Sequence, residues 1–178
     1  MDQGLDPARP GDGPGLWVLL CYRVPREPSA PRIAIWRKLK RLGVAQVGDG
    51  LAGLPADART REQLEWIAEE VTEAGGSAGV WLAHPATAAQ ERELAAAMAA
   101  ARTAEYEAVT AQAAIACEGS EQARPAALRR LRAELRRITR RDYFPPPARE
   151  QARAAVEALA RAGQDASADP VPATGRRP

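Results

Sequence analysis

The chain has 178 residues, 46% of them hydrophobic and only 4% aromatic, which suffices for one core of ordinary size or one compact domain with a helical appendage. Its formal net charge of +2 excludes little, because the charge is divided into poles: Glu62, Glu65, Glu69, Glu70 and Glu73 in one segment, and Arg129, Arg130, Arg132, Arg136, Arg137, Arg140 and Arg141 in another. The longest strongly apolar run, Leu16 to Cys21, falls far short of the about 20 residues that cross a bilayer, and no basic-then-apolar signal precedes it, so the expectation is a cytoplasmic protein without a membrane span.

Residues 1–15 and 164–178 are rich in Gly, Pro and Asp and have almost nothing to bury, so both are expected to be disordered. Between them, Leu16 to Tyr22 lacks alternation, as in a central strand flanked by neighbours in a sheet. Pro25, Pro28 and Pro31 break the chain, and Ser29 with Pro31 behind it suits the start of a helix ending at Gly43. On that helix Ile35, Trp36, Leu39 and Leu42 share one arc, and Arg37, Lys38 and Arg41 the other.

Val44–Val47 and Leu51–Leu54 are short apolar pieces around Gly48-Asp49-Gly50, which reads as a hairpin stopped by Pro55. Thr60 with Gln63 has the spacing of a capping box, and Leu64, Ile67, Ala68 and Val71 make the apolar stripe of a second helix closed by Gly75-Gly76. Ala78 to Ala83 supplies a fourth strand. The order predicts an α+β fold: a ferredoxin-like βαββαβ sheet domain over residues 16–86 with both helices on one face.

A helical carboxy-terminal region, residues 87–163, is expected to pack on that domain. Its first helix runs from about Ala88 to Ala116 and is interrupted at Glu118-Gly119-Ser120. In the next, Leu128, Leu131, Leu135 and Ile138 share an arc with the seven arginines opposite; Asp142 to Pro147 ends it, and a last helix spans about Ala148 to Ala162.

The chemistry-bearing residues are few. Cys21 and Cys117 fit no metal or disulfide spacing and read as buried or inert thiols, and a single histidine, His84, rules out a histidine-rich metal centre or a Ser/His/Asp arrangement. Trp17, Trp36 and Trp81 read as core, whereas Trp66 falls on the acidic side of its helix and is expected to be covered by the carboxy-terminal helices or by a partner. The arginine helix carries the functional weight, because Arg suits bidentate phosphate contacts. It is equally readable as a solvated face or as one neutralised by the acidic helix. The candidate nucleic-acid contacts are Arg37, Lys38, Arg41, Arg129, Arg130, Arg136, Arg137, Arg140 and Arg141, and Arg23, Arg26 and Arg32 are candidates for an oxyanion near the first helix start.

Tyr22-Arg23-Val24-Pro25-Arg26-Glu27-Pro28, Trp36 to Gly43, Thr60-Arg61-Glu62-Gln63 and Arg140-Arg141-Asp142-Tyr143-Phe144 together resemble the amino-terminal domain of ChrB chromate-resistance proteins. The block from Trp36 to Leu54 also resembles the Cas2-like central domain of phenylacetate-pathway repressors. The resemblance implies a chromate-responsive, DNA-binding transcriptional regulator with DNA as partner, chromate as effector, and a homodimer by analogy with Cas2-like domains. The family's third strand usually carries aromatic or branched residues where this chain has Leu51-Ala52-Gly53-Leu54, so that strand is expected to be weaker. A Cas2-like nuclease would need a carboxylate at the end of the first strand, but Arg23 stands there and Asp49 sits between turn glycines. The expectation is therefore no catalysis, no metal and no cofactor. The alternative is a non-catalytic scaffold or partner-binding module using the arginine helix and the Trp66 surface.

Overall fold

The computed structural model describes residues 15–165. The predicted disordered leader and tail lie, apart from residues 15, 164 and 165, outside the described residues. The elements are β1 (Trp17–Arg23), α1 (Ser29–Leu42), β2 (Ala45–Gly48), β3 (Leu51–Pro55), α2 (Ala58–Glu73), β4 (Ser77–Ala83), α3 (Ala88–Glu118), a 3-10 turn (Glu121–Ala123), α4 (Arg124–Thr139) and α5 (Ala148–Asp165). The last helix continues past the predicted end at Ala162. The chain divides within α3 into two compact units, one running to Ala99 and the other starting at Ala100.

In the first unit the strands form one antiparallel sheet in the order β2-β3-β1-β4. This is the α+β arrangement predicted from the element order, with β1 inside the sheet. Val18 and Leu20 of β1 stand opposite Leu54 and Ala52 of β3 and are fully buried with them. α2 packs on β1 and β4, and α1 lies beside α2. Leu64, Ile67 and Val71 form the buried stripe of α2, and Ile35 and Leu39 that of α1.

Trp17 alternates to the opposite face of the sheet, yet it is only 2% exposed. Its Nε1 donates to Glu91 Oε1 of α3 at 3.2 Å, and Gly15 N donates to the same oxygen at 2.8 Å. Gly53 of β3 makes room on that face, since a Cβ there would sit 2.7 Å from Leu19 Cδ2. The small residues of β3, predicted to weaken it, thus accommodate bulky neighbours on β1, and Ala52, Gly53 and Leu54 are all buried.

Local chemistry sets the element ends. Gly43 takes φ 73° and its N–H donates to Leu39 O at 3.1 Å, closing α1 where the sequence predicts. α2 departs from prediction at its start. The N-cap is Asp57: Thr60 N donates to Asp57 Oδ1 at 2.6 Å, and Asp57 N donates back to Thr60 Oγ1 at 2.9 Å. Thr60 is therefore the third helical residue of a reciprocal cap, not its N-cap.

Three burial expectations are corrected. Trp36 is 52% exposed and Trp81 64% exposed, so neither is core. Trp36 lies beside the inward stripe of α1, where Lys40 Nζ rests 4.6 Å from its ring centroid. Trp81 stands on β4, an edge strand. Cys21 is exposed at the far end of β1, and Cys117 is half-buried.

The second unit has its own core, built from Tyr106, Val109 and Ala113 of α3, Leu131 and Ile138 of α4, and Ala148, Ala152, Val156 and Leu159 of α5. Leu128 and Leu135 pack at its margin, as the predicted arc requires. Alanines at Ala113, Ala148 and Ala152 let the helices approach closely.

Candidate anion-binding clefts

In the second unit, α4 and α5 border a cleft of about 490 Å³ lined by Arg132, Arg136, Arg140, Arg149 and Arg153 together with Leu135 and Thr139. The helical period explains the convergence. At 100° per residue Arg132, Arg136 and Arg140 follow one flank of α4, while Arg149 and Arg153 recur four residues apart on α5. Arg153 Nη1 reaches Glu150 at 3.5 Å and Arg149 Nη1 reaches Asp142 at 3.7 Å. Arg132, Arg136 and Arg140 are exposed and form no ion pair among the described residues.

The seven arginines predicted on one face are therefore sorted by the structure. Arg130 and Arg137 fall on the other flank of α4. Arg137 Nη2 donates to Glu134 Oε1 at 2.5 Å, and that bond, reinforced by the Glu134 charge, holds its guanidinium above the usual arginine pKa. Arg141 lies beyond the helix end, with its side chain largely buried and its Nη2 donating to Glu105 Oε2 at 2.9 Å. Burial lowers its pKa, opposed by Glu105. Arg102 donates to the other oxygen of Glu105 at 3.2 Å, so this carboxylate serves two arginines. Arg129 is exposed and does not line the cleft.

The turn between α4 and α5 is set by Asp142, whose side chain is 0% exposed. Tyr106 Oη donates to its Oδ2 at 2.9 Å. Asp142 Oδ1 and Arg149 Nε are buried without a hydrogen-bond partner among the described residues. The contribution of Arg149 and Arg153 escaped the sequence reading. Their four-residue spacing directly after Pro145-Pro146-Pro147 was the available signal.

In the first unit, Arg37 and Arg41 are exposed, but Lys38 is engaged with Glu70 of α2. Glu65 pairs with Arg61 at 2.7 Å, so the acidic helix satisfies two of its carboxylates within its own unit. Lys38, Arg41, Gln63, Trp66 and Glu70 line a groove of about 290 Å³ between α1 and α2. Trp66, predicted to be covered, is 57% exposed.

A second arginine cleft, of about 730 Å³, lies at the end of β1. Arg23, Arg26 and Arg32, the candidate oxyanion residues, line it together with Asp49 and the Gly75-Gly76-Ser77 turn. Among the described residues no group of three or more His, Cys, Asp or Glu could hold a metal ion, and no helix is long and apolar enough to cross a membrane.

Against known proteins, residues 32–118 match the family model described as Protein ChrB, N-terminal. The match runs from α1 to the end of α3 and includes Arg32, Arg37, Lys38 and Arg41. The α4–α5 cleft lies outside it. No curated protein and no solved structure gives a significant match. Over residues 32–118, just under half of its length, the chain is thus similar to the N-terminal domain of ChrB-type chromate resistance proteins.

Proposed function

We propose that the chain is a DNA-binding regulatory protein of chromate resistance that meets the phosphate backbone of a duplex through its α4–α5 arginine cleft. The observation that carries this reading is the composition of the cleft lining: among the described residues, five arginines and no carboxylate. Like charges held this close repel one another, and an external polyanion relieves that cost more completely than water does. Guanidinium forks also suit phosphate oxygens two at a time. Chromate enters the reading as the effector, and a homodimer as the form that would engage paired half-sites. No catalysis is assigned.

The test is charge reversal at the three exposed α4 arginines, Arg132→Glu, Arg136→Glu and Arg140→Glu together. The variant keeps its helical circular dichroism and loses binding to the promoter duplex. Wild-type protein that fails to bind at low salt, or a reversed variant that binds as well as wild type, removes the proposal.

A second reading, a partner-binding module, is favoured by the exposed Trp66 in the α1–α2 groove, where Gln63 Oε1 is buried without a hydrogen-bond partner among the described residues. It requires that DNA binding be absent and that Trp66→Ala weaken self-association measured by sedimentation.

A further inference from the structure

We infer that the cleft at the end of β1 is a separate binding site whose ligand is a small molecule carrying two or more linked phosphate groups. This does not rest on the DNA reading, because the two clefts belong to different units.

The sheet topology builds the site. Arg23 ends β1, Arg26 follows in the proline-rich turn, Arg32 lies in the first turn of α1, and Asp49 sits at the tip of the β2–β3 hairpin. Two close approaches hold these pieces in place. Tyr22 N donates to Gly50 O at 2.7 Å, tying the hairpin tip to β1. A Cβ on Gly76 would come 2.4 Å from Arg23 O, so only glycine lets the α2–β4 turn lie against the strand end.

The charges in this cleft are unbalanced. Arg23, Arg26 and Arg32 are exposed and form no ion pair among the described residues, against the single carboxylate of Asp49 in the lining. α1 adds to the imbalance: its N-cap, Pro28, offers no side-chain hydrogen bond, and its first turn holds no acidic residue but does hold Arg32. The positive end of the helix dipole thus adds to the arginines instead of being offset.

Size and lining narrow the ligand. At about 730 Å³ the cleft has the capacity of a small-molecule site and far more room than one tetrahedral ion fills. Among the described residues no aromatic ring lines it, so they offer no surface on which a base would stack. Three guanidinium forks in one lining instead suit a chain of several phosphate oxygens.

The test uses the full chain in calorimetric titrations at low salt, with inorganic pyrophosphate, orthophosphate and chromate as probes. Pyrophosphate binds at one saturable site, and the two single-centre anions bind about tenfold more weakly or worse, having fewer charge-assisted hydrogen bonds to offer. Arg26→Ala and Arg32→Ala each weaken pyrophosphate by about tenfold. Asp49→Asn, which keeps a turn-forming side chain while removing the repulsive charge, tightens it severalfold, a gain that loss of structure would not produce. The triple reversal at Arg132, Arg136 and Arg140 leaves pyrophosphate affinity unchanged, whatever it does to DNA. The inference is overturned by absence of pyrophosphate binding, by affinities indifferent to all three cleft substitutions, by chromate or orthophosphate binding as tightly as pyrophosphate, or by loss of pyrophosphate binding in the triple reversal.

Discussion

The Tyr106 hydroxyl donates to Asp142 Oδ2 at 2.9 Å, joining α3 to the turn between α4 and α5 across 36 residues of sequence. The carboxylate it meets is fully buried, and a buried charge persists only where donors replace the water it has lost. Arg149, whose Nη1 lies 3.7 Å from the same Oδ2, is held at the entrance of α5 by the same group. A core hydrogen bond thereby fixes the position of a cleft arginine.

Tyr106→Phe removes that donor and leaves the ring in place. The loss should be about 1–3 kcal/mol, the cost of stripping a hydrogen bond from a buried polar group. Urea denaturation measures it, and a stability equal to wild type would show that the carboxylate draws its support elsewhere.

Alkaline pH offers an independent check. Burial raises the Tyr106 pKa, with Asp142 adding to the shift, and burial followed by the Asp49 charge raises that of Tyr22. A group whose folded pKa lies above its unfolded value contributes stability that is complete below the unfolded value, about 10 for tyrosine, and is lost as pH climbs through the folded value. Unfolding free energy should therefore fall above about pH 10, and fall less steeply in Tyr106→Phe. A flat profile through this range would contradict the burial assigned to both phenols.

The reciprocal cap of α2 is also separable. Asp57→Ala removes the acceptor for Thr60 N and should cost about 1 kcal/mol, whereas Gln63→Ala leaves the cap intact. Equal losses in the two variants would argue for the Thr60-Gln63 box.

Trp17 and Trp81 provide a contrast on one sheet. Replacing Trp17, buried and hydrogen-bonded to Glu91, with Ala should cost about 3–5 kcal/mol. Trp81→Ala, at an exposed edge position, should stay within about 0.5 kcal/mol. Similar costs for both would mean that Trp81 is covered in solution.

The sequence revealed what local chemistry decides. Gly43 ended α1, Gly48-Asp49-Gly50 turned the hairpin, and the period of Leu128, Leu131, Leu135 and Ile138 defined the inner face of α4. What escaped depends on tertiary layering. Periodicity placed Trp36 within the apolar arc of Ile35, Leu39 and Leu42, but could not say on which side of Ile35 and Leu39 the core stops. A strand pattern at Trp81 does not reveal that β4 is an edge. Thr60-x-x-Gln63 has the right spacing for a cap, and only the position of Asp57 shows which residue accepts from the helix. For the arginines, the pattern separated the polar side of α4 from its core side. The division into two flanks, one meeting Arg149 and Arg153, needed the packing of α5.

The most direct test of the central claim is the salt dependence of promoter binding. Each phosphate neutralised contributes about −0.9 to the slope of log affinity against log salt, so three to five engaged arginines predict a slope of roughly −3 to −4.5. Reversal of Arg132, Arg136 and Arg140 should remove most of it. Affinity that barely changes with salt, or a slope that survives the reversal, would contradict the assignment of the α4–α5 cleft to the DNA backbone.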